Sequence, residues 1–208
     1  LVDTLNKVGV DIRYIKRTSK TNTTLAFVSL KQDGDREFLF YRNPGADMLL
    51  NADEIKDSWF CSDDILHFCS VGLVEAPVKY AHKKAIKLMK EKEGLISFDP
   101  NVRLPLWSDK EKCRNTIREF IPLANILKIS DEEIEFISGI NDENEAISSL
   151  FVGDVKLIIY TKGAKGAALY TKDFEIMIPG EQVEVVDTTG AGDAFIGAFL
   201  YKMLYEGI

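Results

Sequence analysis

The chain has 208 residues, 46% of them hydrophobic and 28% charged, with a formal net charge of -7. That composition builds a globular protein with a substantial core, one main domain and an appendage, and its dispersed basic residues argue against a nucleic-acid partner. No apolar run approaches the ~20 residues of a membrane helix and no signal-peptide pattern opens the chain, so no membrane partner and a cytoplasmic location are expected.

In chain order, Arg13 to Arg17 is a candidate short strand. Thr23 to Leu30 and Arg36 to Arg42 are rich in β-branched and apolar residues and flank Lys31-Gln-Asp-Gly-Asp35, where Asp-Gly signals a hairpin. Residues 1–46 therefore read as a mainly β region carrying the tail of a preceding helix, and 47–208 as an α/β core. Strand-like Ile65 to Ser70 precedes a helical stretch from Glu75 to Glu93 with Val78, Ala81, Ala85 and Met89 on one side. Leu95 to Asp99 is the next strand, and Ser108-Asp-Lys-Glu111 reads as a capping box before a helix running to about Phe120. Ile126 to Ile129 is a strand, followed by a second capping box, Ser130-Asp-Glu-Glu133, and a helix closed by Gly139. A polar helix from Glu143 to Leu150 leads to Val155 to Tyr160, a continuous apolar run of the buried parallel kind. Ala167 to Thr171, Glu175 to Ile178 and the alternating run Val183, Val185, Val186 supply three more predicted strands. Cys61, Cys69 and Cys113 lack CxxC or zinc spacing and read as reduced thiols.

Alternating strands and helices imply a mainly parallel sheet with helices on both faces, and such sheets bind ligands at the carboxyl ends of their strands. Asp99, Ser130, Thr161 and Asp187 fall at predicted strand ends and can share one rim.

The densest chemistry lies in Asp187-Thr-Thr-Gly-Ala-Gly-Asp193, read as strand, tight turn and helix. Gly190 and Gly192 free the backbone, and the new helix offers unpaired N–H groups, which together make an anion cradle. Asp193 is either a base that takes the proton of a hydroxyl attacking a phosphoryl group or a first-turn acid that complements the helix dipole, worth at most about 1 kcal/mol. Thr161-Lys-Gly-Ala-Lys-Gly166 suits a nucleotide loop and a hairpin turn alike, and is neither a P-loop nor a GxGxxG fingerprint. Glu133 suits a magnesium-bound water or simple helix capping. Asp99-Pro-Asn-Val-Arg103 can grip a hydroxylated or phosphorylated ligand or be a solvated loop, and Arg42-Asn43-Pro44 is a polar pair over a pocket or a turn. His67 and His82 read as structural.

The run Asp187 to Asp193, continued by Ala-Phe-Ile-Gly-Ala-Phe-Leu200, resembles the C-terminal signature of the ribokinase-like (PfkB) carbohydrate kinases. Within that family the chain is most similar to fructokinases, through Arg42-Asn-Pro-Gly-Ala-Asp47, Asp99-Pro-Asn-Val-Arg-Leu-Pro-Leu-Trp107 and Lys128-Ile-Ser-Asp-Glu-Glu133. The resemblance implies a three-layer αβα fold, a mainly parallel Rossmann-like sheet with a small β-sheet lid, and the lid as a homodimer surface. It implies Asp193 as general base toward the sugar and Gly190, Ala191 and Gly192 as the anion hole. It also places Lys128, Thr161, Gly163 and Gly166 at the nucleotide and Arg42, Asn43 and Arg103 at the sugar. Glu133 would hold Mg²⁺ through water, although Ser130 stands where the family's Asn-x-x-Glu element has asparagine, and Asp187 and Thr189 would hold a monovalent cation, K⁺. The implied activity is transfer of phosphoryl from ATP to a sugar hydroxyl, D-fructose to fructose 6-phosphate. The alternatives are 2-keto-3-deoxygluconate kinase, another PfkB sugar or nucleoside kinase, or a non-catalytic relative. The chain begins at Leu1 and stops just after launching a helix, so truncation at both ends is expected.

Overall fold

A computed structural model describes residues 1–30 and 36–206, so the turn of the expected hairpin, Lys31 to Asp35, lies outside the described residues. A short helix, α1 (Val2–Lys7), precedes a two-stranded antiparallel sheet of β1 (Leu25–Leu30) and β2 (Arg36–Tyr41), with Phe27 opposite Leu39. Arg13 to Arg17 is irregular rather than a strand. Its polar groups are spent locally: the Arg13 N–H donates to Asp11 Oδ1 at 3.0 Å, and Tyr14 stacks on Trp59. Such side-chain-to-backbone bonds compete with a ladder.

The main sheet orders its six strands as they occur in the chain: β3 (Ile65–Cys69), β4 (Leu95–Asp99), β5 (Ile126–Ser130), β6 (Leu157–Thr161), β7 (Ala167–Tyr170) and β8 (Glu175–Ile178). β3 to β6 are parallel and β7 and β8 antiparallel. Between the parallel strands run α2 (Pro77–Glu91), α3 (Lys110–Phe120), α4 (Asp131–Ser138) and α5 (Glu143–Ser149), and α6 (Ala191–Tyr205) follows the sheet.

Strand periodicity sorts the side chains between two faces. Phe68, Ile96, Phe98, Leu127, Ile129, Ile158 and Tyr160 form one cluster with residues from α2, α3, α4 and α5, such as Met89, Ile117, Ile137 and Ile147. On the opposite face Ile126 and Ile159 pack against Ile196 and Phe199 of α6. The result is the expected α/β sandwich of helices, sheet and helix, and among the described residues no helix is long and apolar enough to cross a membrane.

Apart from shifts of a residue or two at element ends, two further features depart from the sequence expectation. α3 is capped by Asp109, whose Oδ2 accepts the Lys112 N–H at 3.1 Å, not by Ser108. The carboxylate is as good a cap as a hydroxyl and stands one residue closer to the helix. Val183, Val185 and Val186 form no strand, and they are 73%, 64% and 92% exposed. Alternation marks any extended backbone, and no described strand pairs with this one, so Asp187 closes a loop rather than a strand.

Candidate active site

Register explains which side chains meet. His67 pairs with Ser97 and Ser97 with Ile126, while Cys69 pairs with Asp99. Period 2 then places His67, Cys69, Ser97, Asp99 and Lys128 on the α6 face, with Asp99 and Lys128 near the carboxyl ends of neighbouring strands. Lys128 Nζ donates to Asp99 Oδ2 at 2.7 Å, and both residues are buried, at 6% and 2% exposure. Burial pushes the Asp99 carboxyl above its ordinary range, Glu133 adds to the rise, and the Lys128 charge opposes it. Asp99 Oδ1 is buried without a close hydrogen bond, and the Asn101 backbone N–H, directed at the carboxyl, lowers its pKa. His67 Nδ1 lies 3.0 Å from Ser97 Oγ, and partial burial and the Lys128 charge lower its pKa.

Over this floor stands the start of α6. Gly190 is its N-cap with φ +79°, a left-handed conformation that glycine adopts without strain, and the Ala194 N–H closes back on Gly190 O at 2.8 Å. Helix geometry leaves the amides at 192 and 193 without partners four residues back, and the dipole favours an anion there. A Cβ on Gly192 would sit 3.3 Å from Lys128 Nζ, so the ammonium lies directly against the turn. Asp193 is exposed in the first turn, and its charge acts on His67 and Cys69.

A cleft of about 1440 Å³ opens beside the turn. The structure brings together on its walls Arg103, Lys128, Glu133, Thr161, Gly163, Gly166, Ala191 and Gly192. Asp193 is not among the cleft residues and lies on the other side of the turn, toward β3. The turn at the start of α6 therefore has the cleft on one side and Asp193 on the other.

The Thr161 to Gly166 segment connects antiparallel β6 and β7, as its hairpin reading has it, and Thr161, Gly163 and Gly166 line the cleft. Gly166 has φ +100°, and a Cβ there would meet Ile178 O at 2.1 Å, so the turn admits no side chain. Lys162 Nζ anchors the loop to Glu143 Oε1 at 2.5 Å.

Glu133 uses both of its carboxylate oxygens. Its Oε2 accepts from the Ser130 N–H at 3.1 Å and the Ser130 hydroxyl at 2.9 Å, and its Oε1 accepts from the Val102 N–H at 2.6 Å. With three of about four acceptor sites occupied, the carboxylate can hold a cation's water but not serve as a primary ligand. Asp187 Oδ1 accepts the Thr189 N–H at 2.8 Å, folding that pair into a local turn. Among the described residues no cluster of three or more His, Cys, Asp or Glu side chains converges on a metal.

Arg42 and Asn43 stand apart from the cleft. Arg42 makes a two-nitrogen ion pair with Asp47, at 2.8 and 2.5 Å, which also accepts from the Thr24 hydroxyl. β2 approaches the turn Leu104–Leu106, whose Leu104 lines the cleft. Sequence reasoning missed the Asp99–Lys128 pair and the apolar wall formed by Phe195 and Phe199 with Leu169. A lysine inside the apolar strand Ile126-Leu-Lys-Ile129 was the signal for the first.

Residues 1–207 match the model of the pfkB family carbohydrate kinases. Fructokinase-2 of Solanum lycopersicum is 42% identical over 205 residues, which are 98% of this chain and 62% of that protein. A crystal structure of fructokinase from Vibrio cholerae O395, with fructose, ADP and calcium ion bound, superposes with a TM-score of 0.90 at 34% identity, over 97% of this chain and 65% of that one. Aminoimidazole riboside kinase from Salmonella enterica, complexed with aminoimidazole riboside and an ATP analog, gives 0.85 at 29% identity, over 97% and 65%. This chain thus spans less than two thirds of these relatives' length. With the signature turn, the cleft and a match over nearly every residue in agreement, the chain belongs to the pfkB family of carbohydrate kinases.

Proposed function

We propose that the full-length protein is an ATP-dependent fructokinase that converts D-fructose to fructose 6-phosphate. The chain-long identity to fructokinases carries the reading, and the geometry supplies a mechanism. Asp193 accepts the proton of the sugar 6-hydroxyl as its oxygen bonds to the γ-phosphorus. The bond from that phosphorus to the bridging oxygen breaks, and ADP leaves with the electron pair. The amides at the start of α6 and the Lys128 ammonium, beside Gly192, face the charge that develops on the transferred group.

The sugar approaches from the Asp193 side of the turn and the nucleotide lies in the cleft between Thr161–Gly166 and α6. A bound Mg²⁺ neutralises phosphate charge, and Glu133 suits one of its waters. Asp187 and Thr189 are assigned to K⁺ on the resemblance. Arg42 and Asn43, which do not line the cleft, are assigned to the sugar through the lid, whose outer face is the proposed dimer surface.

A coupled ADP-release assay on the full-length protein with fructose, ribose, 2-keto-3-deoxygluconate and adenosine tests this. The reading predicts the highest kcat/KM with fructose. The likeness to a riboside kinase supports a second reading, under which a riboside would turn over faster than fructose.

A further inference from the structure

We infer that Asp99 is a positioning residue for phosphoryl transfer: it holds the Lys128 ammonium against the anion hole and keeps that lysine from acting as a free ground-state clamp. The inference rests on the proposed kinase reading and concerns how its phosphate site is built.

Three observations converge. Lys128 Nζ is bonded to Asp99 Oδ2 at 2.7 Å and would lie 3.3 Å from a Cβ on Gly192. Among the described residues Asp99 is its only hydrogen-bond acceptor, which leaves up to two of three N–H donors for a ligand at the turn. Asp99 itself is 2% exposed, and among the described residues Lys128 is the one side chain that bonds it, its Oδ1 having no close hydrogen bond. A buried ion pair is a poor stabiliser, because desolvation offsets the attraction, and its retention here needs another account.

The account is preorganisation. A lysine stem carries several rotatable bonds, and a fixed partner removes the freedom that would otherwise have to be lost as charge develops on the phosphoryl oxygens. The same carboxylate repels bound phosphate, weakening the ground state while aligning the cation for the transition state. Asp99 therefore acts through Lys128, touching neither the sugar nor the phosphate.

The test is a double-variant cycle in the full-length protein: Asp99→Asn, Lys128→Met and both together. Asp99→Asn should bind β,γ-imido-ATP about 2- to 10-fold more tightly by calorimetry, because one negative charge is removed. Its kcat with fructose should fall about 10- to 100-fold, because the cation is less well placed. Lys128→Met should weaken nucleotide binding at least about 10-fold, and the double variant should be no slower than Lys128→Met alone. A purely structural role would lower the melting temperature without this split. Losses in kcat that multiply in the double variant, or Asp99→Asn binding no more tightly than wild type, overturn the inference. Failure of wild type to phosphorylate fructose overturns the proposed function instead, and the binding comparison still decides the role of Asp99. The double variant, with no net change of buried charge, serves if Lys128→Met alone does not fold.

Discussion

The two faces of the six-stranded sheet are built from the same strands and have opposite contents. Toward α2, α3, α4 and α5 the strands present Phe68, Ile96, Phe98, Leu127, Ile129, Ile158 and Tyr160, all buried in one apolar cluster. Toward α6 the same strands start apolar, at Ile126 and Ile159, and turn polar toward their carboxyl ends at Ser97, Asp99 and Lys128. One face is spent on holding the fold and the other holds charge in place at some expense of stability. The difference shows how a single strand such as Leu95–Asp99 supplies a core residue, Phe98, and a site residue, Asp99, one position apart.

That division can be broken by experiment. Asp193→Asn in the full-length protein should lower kcat by about 10²–10⁴-fold, the usual weight of a general base. Nucleotide affinity should barely change, and the free energy of unfolding should stay within about 0.5 kcal/mol. Near-normal turnover in that variant would remove Asp193 from the mechanism.

Phe98→Ala should do the reverse. Phe98 is 0% exposed and stacks on Phe68 with ring centroids 4.6 Å apart. Its truncation should cost about 3–5 kcal/mol of stability in urea unfolding, while the remaining folded enzyme keeps its KM values. A cost under about 1 kcal/mol would mean that this face is not the structural one.

Glu133→Ala sits between the faces, at the top of α4. It strips an acceptor from the Val102 and Ser130 amides and should cost about 1–3 kcal/mol. Because Val102 and Arg103 both line the cleft, it should raise a substrate KM as well. A stability loss with unchanged KM would assign Glu133 to capping alone.

The smallest effect belongs to His82, packed beside Phe68 with Nδ1 2.8 Å from Val78 O. Burial lowers its pKa below the ordinary value. A folded-state pKa below the unfolded one means that the folded protein binds fewer protons. His82 therefore contributes stability above about pH 6.5 that fades as pH falls through the depressed value. Melting temperatures measured from pH 7.5 down to 5.5 should drop less in His82→Leu than in wild type. Parallel curves would contradict the assignment.

Much of this was legible in the chain. Leu95–Asp99 and Glu175–Ile178 stand as read, because short β-rich runs between turn and cap signals leave little choice of register. The signature turn was legible because its parts are neighbours in sequence and its geometry is local. What escaped was non-local. Asp99 and Lys128 are 29 residues apart, and only the pairing of β4 with β5 brings them together. Val183 to Val186 was misread because alternation reports an extended backbone and not whether another strand lies beside it. Thr161–Gly166 was ambiguous for a physical reason: a tight hairpin and a phosphate-facing loop ask for the same glycines.

The strand order of the main sheet follows the chain without a single exchange, β3 through β8. Each of β4 to β8 therefore finds a partner in the strand made just before it, and among the described strands no pairing must wait for a distant stretch to arrive. Loop closure is short at each step, a condition that favours rapid folding and lets these strands add in order as the chain emerges in synthesis. The Asp99–Lys128 pair, on β4 and β5, would then be assembled before the helix that carries Asp193 has been made.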